Sequence, residues 1–291
     1  MKVCPRCNKE LSNDSSCGFC GFNAKMIDGF MAFAPELVTG NDNFESDAHE
    51  RLFQCENKCF WFPERNKLLI WAMKKYFPLT QSFLEIGCGT GYVLSGLSLT
   101  FPEIKYTGAD IFTSGLKFAA SRVLQAEFIQ MDARTIPFNN EFDVIGAFDM
   151  IEHVDEDEQV LSQMYKALRH GGGIIVTVPQ HEWLWSAADD QGFHKRRYTR
   201  AILGEKVTKS GFEVIRMISF MSILLPVIIL LRWRYLFYSK TTIEKSVKEE
   251  IKINSVLNYL FGVICKLETQ MIKSGFSFPA GGSLLCIAKK R

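Results

Sequence analysis

A repeated alternation of short apolar runs with glycine loops and helical stretches constrains this 291-residue chain more than any other feature. Five runs between residues 82 and 179 have the length and composition of buried strands: SFLEIG, KYTGAD, AEFIQMD, FDVIGAF and GGIIVTVP. Helical patterns separate the first run from the second, the second from the third, and the fourth from the fifth. The alternation predicts a parallel sheet with right-handed crossovers and helices on both faces.

The loop after the first run, within FLEIGCGTGYV, has the context of a nucleotide-binding turn. Its glycines are spaced G-x-G-x-G, and Tyr92 occupies the third glycine position of the dinucleotide fingerprint, which argues against NAD or FAD. Asp110 ends the next run, where a carboxylate can accept hydrogen bonds from both ribose hydroxyls. Because no G-x-x-x-x-G-K-[ST] motif occurs, the pattern indicates a nucleoside ligand without a polyphosphate.

Linked motifs in this order resemble the class I S-adenosylmethionine-dependent methyltransferases. They read LEIGCGTG, GAD at 108–110, MDA at 131–133, FDVIGAFDMIEHV and LRHGGGIIVTVP. The resemblance runs from about 61 to 219 and resumes at 274–291. It implies a Rossmann-like α/β fold, a doubly wound seven-stranded sheet with the last strand antiparallel, and S-adenosylmethionine as cofactor.

The resemblance also implies a role for each matching residue. The methionyl end of the cofactor would be lined by Glu85, Gly87, Gly89 and Gly91. The nucleoside would be held by Asp110 at the ribose, Ile111 beside the adenine, and Asp132 and Ala133 at its polar edge. Phe148 would face the reacting methyl group. The alternatives are plain tight turns for the glycines and solvated strand ends for the acids.

The stretch FDMIEHV carries the candidate catalytic residues Asp149, Glu152 and His153, which share one face if a helix begins here. Three interpretations stay open. His153 could act as a general base, the trio could hold a divalent metal, or Asp149 could cap the helix while the others shape the pocket. The stretch is similar to an E-x-x-E-H metal motif of some O-methyltransferases and RNA methyltransferases, from which Asp149 departs.

Two flanking segments are expected to cover the site. The loop PQHEWLWSAADDQGFHKRRYT would lie over the acceptor, and His181 or His194 could complete a metal site. Its other candidate residues are Trp183, Trp185, Asp190, Arg197 and Tyr198. Upstream, FWFPERN places Trp61 and Arg65 where they either close over the cofactor or pack on the sheet.

Residues 1–22 contain two C-x-x-C knuckles, Cys4/Cys7 and Cys17/Cys20. Four thiolates on two tight turns suit a tetrahedral zinc site, and a segment this short needs the metal for its folding energy. The segment therefore resembles a zinc ribbon with a structural or docking role. Two incidental reduced knuckles are the alternative.

Composition narrows the partners and the compartment. A net charge of +2 gives no electrostatic reason to expect DNA. The start MKVCPRC has no apolar leader, and metal binding is preferred over disulfides for clustered cysteines in a reducing compartment. The expected location is cytoplasmic, with peripheral contact to a membrane as an extension.

The segment MISFMSILLPVIILL at 217–231 is uncharged, carries Pro226, and is shorter than the roughly 20 residues that span a bilayer. It could lie in a bilayer interface with RWRYLFY, up to residue 238, as its anchor. A buried helical cap and a dimer interface are the alternatives. The chain then divides into a ribbon (1–22), a connector (23–60), a core (61–219), an apolar helical insertion (220–273) and the last core strand (274–291).

Together these patterns predict an enzyme that methylates a small molecule, in particular a hydroxyl of a lipid-like or membrane-associated compound. One alternative is a protein or RNA acceptor recruited through the ribbon. The other is a non-catalytic scaffold that binds the cofactor.

Overall fold

One mixed sheet forms the centre of the protein. The computed structural model describes residues 1–38, 48–235 and 254–291, and within them nine strands follow the order β1-β2-β5-β4-β3-β6-β7-β9-β8. The strands are β1 (Lys25–Ile27), β2 (Phe30–Ala32), β3 (Ser82–Ile86), β4 (Lys105–Asp110), β5 (Glu127–Gln130), β6 (Phe142–Phe148), β7 (Leu168–Pro179), β8 (Phe212–Phe220) and β9 (Ser283–Lys290). The helices are α1 (Ala48–Cys55), α2 (Trp61–Tyr76), α3 (Tyr92–Thr100), α4 (Thr113–Arg122), α5 (Asp157–Ala167), α6 (Ala187–Gln191), α7 (Arg200–Lys209), α8 (Leu225–Tyr235) and α9 (Ser255–Lys273).

The five strands predicted from the apolar runs are confirmed as β3 to β7, and they pair in parallel. β3 lies between β4 and β6, so the chain reverses its direction of winding at this point. Ligands bind at such a switch point, outside the carboxyl ends of the strands. At the other end of the sheet β9 runs antiparallel to both β7 and β8, as the resemblance implied.

The sheet has nine strands rather than the predicted seven, because part of the predicted connector 23–60 joins it. Lys25–Ala32 forms a hairpin whose second strand pairs in parallel with β5 through Met31 and Ile129. Residues 48–55 of the same connector form α1. Strands of three residues leave no alternation to detect in a sequence, and here their edge pairing with β5 stabilises them.

The segment 1–22 packs on the core. Its backbone is joined to the main fold by a hydrogen bond from the Val3 amide to the Pro137 carbonyl (3.0 Å) and one from the Asn139 amide to the Met1 carbonyl (3.0 Å). Four buried side chains of this segment belong to the same hydrophobic cluster as buried side chains of β5 and β6. The four are Cys4, Leu11, Cys17 and Phe22.

The apolar run 217–231 does not form one element. Its first residues complete β8, where Ile218 and Phe220 are buried, and α8 begins only at Leu225 after a turn. No helix among the residues that the structure describes is both long and apolar enough to cross a bilayer. Residues 236–238 of the predicted anchor lie outside the described ranges.

Candidate functional site

A cavity of about 920 Å³ opens at the carboxyl ends of β3, β4 and β6. Most residues singled out in the sequence line it: Glu85, Gly87, Gly89, Asp110, Ile111, Asp132, Ala133, Phe148, Asp149, Glu152 and His153. Among the residues assigned to the cofactor or to catalysis, Gly91 alone does not line it. It precedes α3 with φ 74°, and a Cβ there would approach Ala119 of α4 to 2.8 Å, so this glycine permits two helices to pack rather than lining the cavity.

The first two glycines of the loop have different roles. Gly89 has φ 50°, and a Cβ there would meet no described atom within 4 Å, so its backbone faces open cavity. Gly87 has φ 69°, and a Cβ there would overlap Cγ of Met150 and lie 2.9 Å from its Cβ. A side chain at position 87 would therefore meet both an unfavourable backbone conformation and a filled space.

Replacing Gly87 by alanine is expected to lower the free energy of unfolding by about 3 kcal/mol, since backbone strain and overpacking against Met150 add. Gly171, at φ 77° with open space around it in the described structure, is the matched control. Its alanine variant should lose only about 1 kcal/mol, the backbone contribution alone. Urea denaturation compares the two variants, and equal losses would show that Met150 yields without cost.

Asp110 joins the glycine loop to the next helix. Its Oδ2 accepts from the Gly89 amide (2.8 Å) and its Oδ1 from the Phe112 amide (2.9 Å). The residue is 8% exposed, and burial raises the pKa of its carboxyl. Each carboxylate oxygen can accept a further hydrogen bond, so a hydroxylated ligand in the cavity would find two oriented acceptors.

Glu85, at the carboxyl end of β3, faces the same cavity, and its Oε2 has no hydrogen-bond partner among the described residues. Burial raises the pKa of this carboxyl to about 8, and the nearby Arg65 counteracts the shift only in part. A buried carboxyl oxygen without a partner is costly. The carboxyl therefore fits a cationic group of a ligand, such as an ammonium.

Helix α1 covers the glycine loop, which the sequence did not indicate. Glu56, just after α1, accepts from the Thr90 hydroxyl (2.6 Å) and pairs with Arg122 of α4 (2.6 Å). His49 of α1 lines the cavity and bonds to the Ser114 hydroxyl (3.0 Å). These contacts join residues far apart in the chain, so no local pattern could have revealed them.

Asp149 is not on a helical face with Glu152 and His153, contrary to the expectation. It has φ 53°, and only the 3-10 turn Ile151–His153 follows it. Its carboxylate instead forms an ion pair with Arg65 of α2. Arg65 also lies 5.7 Å from the centre of the Trp61 ring, and both residues line the cavity. Trp61 in addition stacks on Phe220 of β8 at 5.5 Å, so the FWFPERN segment borders the cavity and packs on the sheet.

The structure brings His194 to Glu152 and His153 in place of Asp149. One ligand atom from each of the three lies within 4.8 Å of the others, and the imidazole rings of His153 and His194 are 4.7 Å apart. Desolvation and the neighbouring His194 lower the pKa of His153 to about 4, so its ring is neutral near pH 7. Glu152 is fully buried, neither of its oxygens has a hydrogen-bond partner within the described part of the chain, and burial raises the pKa of its carboxyl.

A neutral imidazole and a carboxylate with open coordination are metal-ligand types. Asp189 of α6 adds the outer contact that such sites commonly have, because its Oδ1 lies 2.9 Å from Nδ1 of His194. Arg197 holds the same oxygen at 2.7 Å. The donor set therefore fits a divalent cation.

The loop that was predicted to cover the acceptor was singled out for its aromatic and charged residues. Several of these residues lie away from the cavity. Trp183 is exposed, Tyr198 is buried on Asp157, and Asp190 bonds to the Trp185 indole. Asp189 was missed, although the sequence SAAD is a capping box, in which Asp189 accepts from the Ser186 amide (2.8 Å).

The four N-terminal cysteines converge as their spacing predicted. Their sulfur atoms lie within 4.8 Å of one another, and the Cys4–Cys20 and Cys7–Cys17 pairs are each 3.5 Å apart. Thiolates around a tetrahedral zinc at about 2.3 Å would be separated by about 3.8 Å. This cluster could hold a metal ion.

Residues 83–172, which include the glycine loop, Asp110 and the FDMIEHV turn, match the family model of a methyltransferase domain. Over these residues the core of this chain is similar to a methyltransferase domain. Solved structures share its fold. One is phosphoethanolamine N-methyltransferase 2 of Haemonchus contortus with phosphomonomethylethanolamine and S-adenosylhomocysteine (TM-score 0.57, 20% identity, 88% of this chain and 60% of that chain).

Curated relatives match parts of the chain. A fatty-acid O-methyltransferase of Mycolicibacterium smegmatis is 33% identical over 97 residues, covering 32% of this chain and 35% of the relative. A phosphatidylethanolamine N-methyltransferase of Cereibacter sphaeroides is 34% identical over 100 residues, covering 32% of this chain and 48% of the relative. The chain thus spans less than half the length of these two relatives.

Proposed function

We propose that the protein transfers a methyl group from S-adenosylmethionine to an oxygen of a small, lipid-like acceptor. The observation that carries this proposal is the shared cavity. It is lined by the glycine loop and Asp110, by Glu152 and His153, and by the apolar helix α8. A cofactor site, a reactive site and an apolar wall therefore face one space.

The chain's own residues supply cofactor recognition. Asp110 would accept from the ribose hydroxyls, while Gly89 lets the backbone approach the ligand. Ile111, Asp132, Ala133 and Glu85 line the cavity. We assign the first three to the adenosine of the cofactor and Glu85 to its methionyl end. The likeness in fold to a structure that contains S-adenosylhomocysteine supports this assignment.

At pH 7 Glu85 is mostly protonated in the free protein because its pKa is about 8. The ammonium of a bound cofactor would favour the carboxylate, so binding should release close to one proton from Glu85. Calorimetry of S-adenosylhomocysteine binding in buffers of different ionisation enthalpy measures this number. The Glu85→Gln variant should release about one proton less, and an identical proton count would contradict the assignment.

The helix α8 supports the proposal of an apolar acceptor, because one of its faces lines the cavity and the other is exposed and apolar. Ile228 and Arg232 line the cavity, whereas Ile229, Leu230 and Leu231 are exposed on the outside. Two relatives are named for a fatty acid and for phosphatidylethanolamine. A lipid-like compound could then enter beside α8 with its polar end toward Glu152 and His153.

Peripheral membrane contact is part of this proposal, at a location that differs from the predicted 217–238. The contact would use α8 and the outer face of α9, since the last residues of β8 are buried. The exposed apolar residues of α9 recur at helical spacing: Val256, Leu260, Val263, Leu267 and Met271. Such a face can lie in a bilayer interface without spanning it.

Methyl transfer is an in-line displacement in which a carbon–oxygen bond forms as the carbon–sulfur bond of the cofactor breaks. The protein's task is to align the acceptor and to handle its proton. His153 is neutral near pH 7 and can take that proton or act as a ligand. We propose Glu152, His153 and His194 as the set that would hold a divalent cation, which would supply a lowered pKa for the acceptor hydroxyl.

The direct test uses cofactor with a labelled methyl group, the intact chain and an extract of the source cells. Label is expected in the lipid fraction. Label confined to protein or RNA would replace the lipid-like acceptor by a macromolecule, and label confined to water-soluble small molecules would make α8 a structural cap. Failure to bind S-adenosylhomocysteine at all would overturn the proposed activity.

A further inference from the structure

The hairpin β1–β2 lies between the four-cysteine segment and the cavity. On one side, its strand β2 continues to Phe33, which belongs to the same buried cluster as Cys17 and Phe22. On the other side, β2 pairs with β5, which leads directly into Met131. Met131 lines the cavity and belongs to that same cluster, so the wall of the cavity packs together with the cysteine segment.

The side chain of Gln130 connects the segment after the hairpin to the cavity wall. Its side chain is fully buried and forms three hydrogen bonds to backbone atoms. Nε2 donates to the Ala34 carbonyl (2.8 Å) and to the Ile111 carbonyl (3.2 Å), and Oε1 accepts from the Ala34 amide (3.1 Å). One amide thus fixes the segment after β2 against the loop that carries Ile111.

The turn of the hairpin makes a second link. Asp28 accepts from the Thr113 hydroxyl at the start of α4 (2.8 Å) and pairs with Lys117 (3.1 Å). The segment Ile111–Phe112 between Asp110 and α4 is therefore held from two points of the hairpin. The two contacts, at Ile111 and at Thr113, adjoin the residues assigned to the ribose and the adenine.

We infer that the N-terminal module (residues 1–38) supports the adenosine side of the cavity, with Gln130 as a positioning residue. The inference rests on the proposed cofactor. A metal ion at the four cysteines would stabilise the ribbon, and the ribbon and hairpin would stabilise the wall at Ile111 and Met131. Binding free energies at two linked sites are reciprocal, so bound cofactor should in turn raise the affinity for the metal.

The test measures both directions of this coupling on the intact, zinc-loaded chain. One readout is the dissociation constant of S-adenosylhomocysteine by calorimetry, and the other is the equilibrium extent of zinc release to a competing chromogenic chelator. In the wild type, saturating S-adenosylhomocysteine is expected to raise the apparent zinc affinity several-fold and so to reduce zinc release. In Gln130→Met, which removes these three hydrogen bonds at similar volume, binding should weaken about tenfold and zinc release should no longer respond to the ligand.

Lys2→Met is the matched control, because it removes an exposed contact between the ribbon and Glu127 (3.0 Å), a residue of β5 that does not line the cavity. It should leave both readouts near those of the wild type. If Gln130→Met does not fold, Asp28→Ala, which removes the contacts to Thr113 and Lys117, should weaken binding of S-adenosylhomocysteine and reduce the effect of this ligand on zinc affinity. The zinc affinities of the wild type with and without the ligand test the coupling by themselves.

Three results would contradict either this inference or the proposed function. Zinc release from the wild type that ignores S-adenosylhomocysteine overturns the inference, and so does Gln130→Met that behaves like the wild type in both readouts. Wild-type protein that does not bind S-adenosylhomocysteine removes the proposed function itself.

Discussion

Replacing Asp110 by asparagine is expected to weaken the binding of S-adenosylhomocysteine about 100-fold. The carboxylate would accept from the ribose hydroxyls while holding the Gly89 and Phe112 amides. Hydrogen bonds to a charged group contribute about 1.5–3 kcal/mol each. An asparagine amide nitrogen would in addition face a backbone donor, which disturbs the loop. Calorimetric titration of the intact chain measures the change.

Asp143 provides the matched control, because it lies at the amino ends of β3 and β6, opposite to the carboxyl ends where the cavity opens. Its Oδ2 accepts from the Gln81 and Ser82 amides, both at 2.9 Å, as Asp110 accepts from two amides in the cavity. Asp143→Asn should lower the free energy of unfolding while leaving the dissociation constant unchanged. Equal weakening of binding by both substitutions would mean that Asp110 acts only through fold stability.

Replacing Glu152 by glutamine is expected to weaken the binding of Mn²⁺ by about 100-fold or more and to lower the methyl-transfer rate comparably. Loss of an anionic ligand removes both a bond and the charge that compensates the cation. His194→Ala should have a similar effect. Asp189→Asn should weaken Mn²⁺ binding about tenfold, because Asp189 would act on the cation through the imidazole of His194 and not as a ligand.

Two controls separate the ligand set in the structure from the one expected from the sequence. Asp190→Asn alters a neighbouring acid that bonds to Trp185, and it should not change the affinity for Mn²⁺. Asp149→Asn should also leave most of the affinity, since Asp149 pairs with Arg65. Loss of Mn²⁺ binding in Asp149→Asn but not in His194→Ala would favour the ligand set predicted from the sequence, which contains Asp149 instead of His194.

The sequence predicted the parts of the fold in which each segment carries its own pattern. The strands β3 to β7 are continuous apolar runs, and the loop from Gly87 to Gly91 has a spacing set by backbone geometry. The turn at Asp149 was not predictable, because a positive φ at a non-glycine residue is imposed by the surrounding structure.

Long-range pairings account for the other differences. The hairpin Lys25–Ala32 has little strand pattern of its own and is held by its pairing with β5. His194 reaches Glu152 because α6 and the following loop fold back over the site. A sequence shows that His194 is a candidate, but only the fold shows which carboxylate it meets.

The position of β9 has a consequence for how the protein can be assembled during synthesis. β8 is at the edge of the sheet and pairs with β9, which begins only at Ser283, long after β8 ends at Phe220. Until the ribosome has released β9, β8 has no strand of the sheet beside it among the described residues. The sheet is therefore completed only after α8 and α9 have been made, and β7 and β8 stay unjoined by β9 while both helices are synthesised.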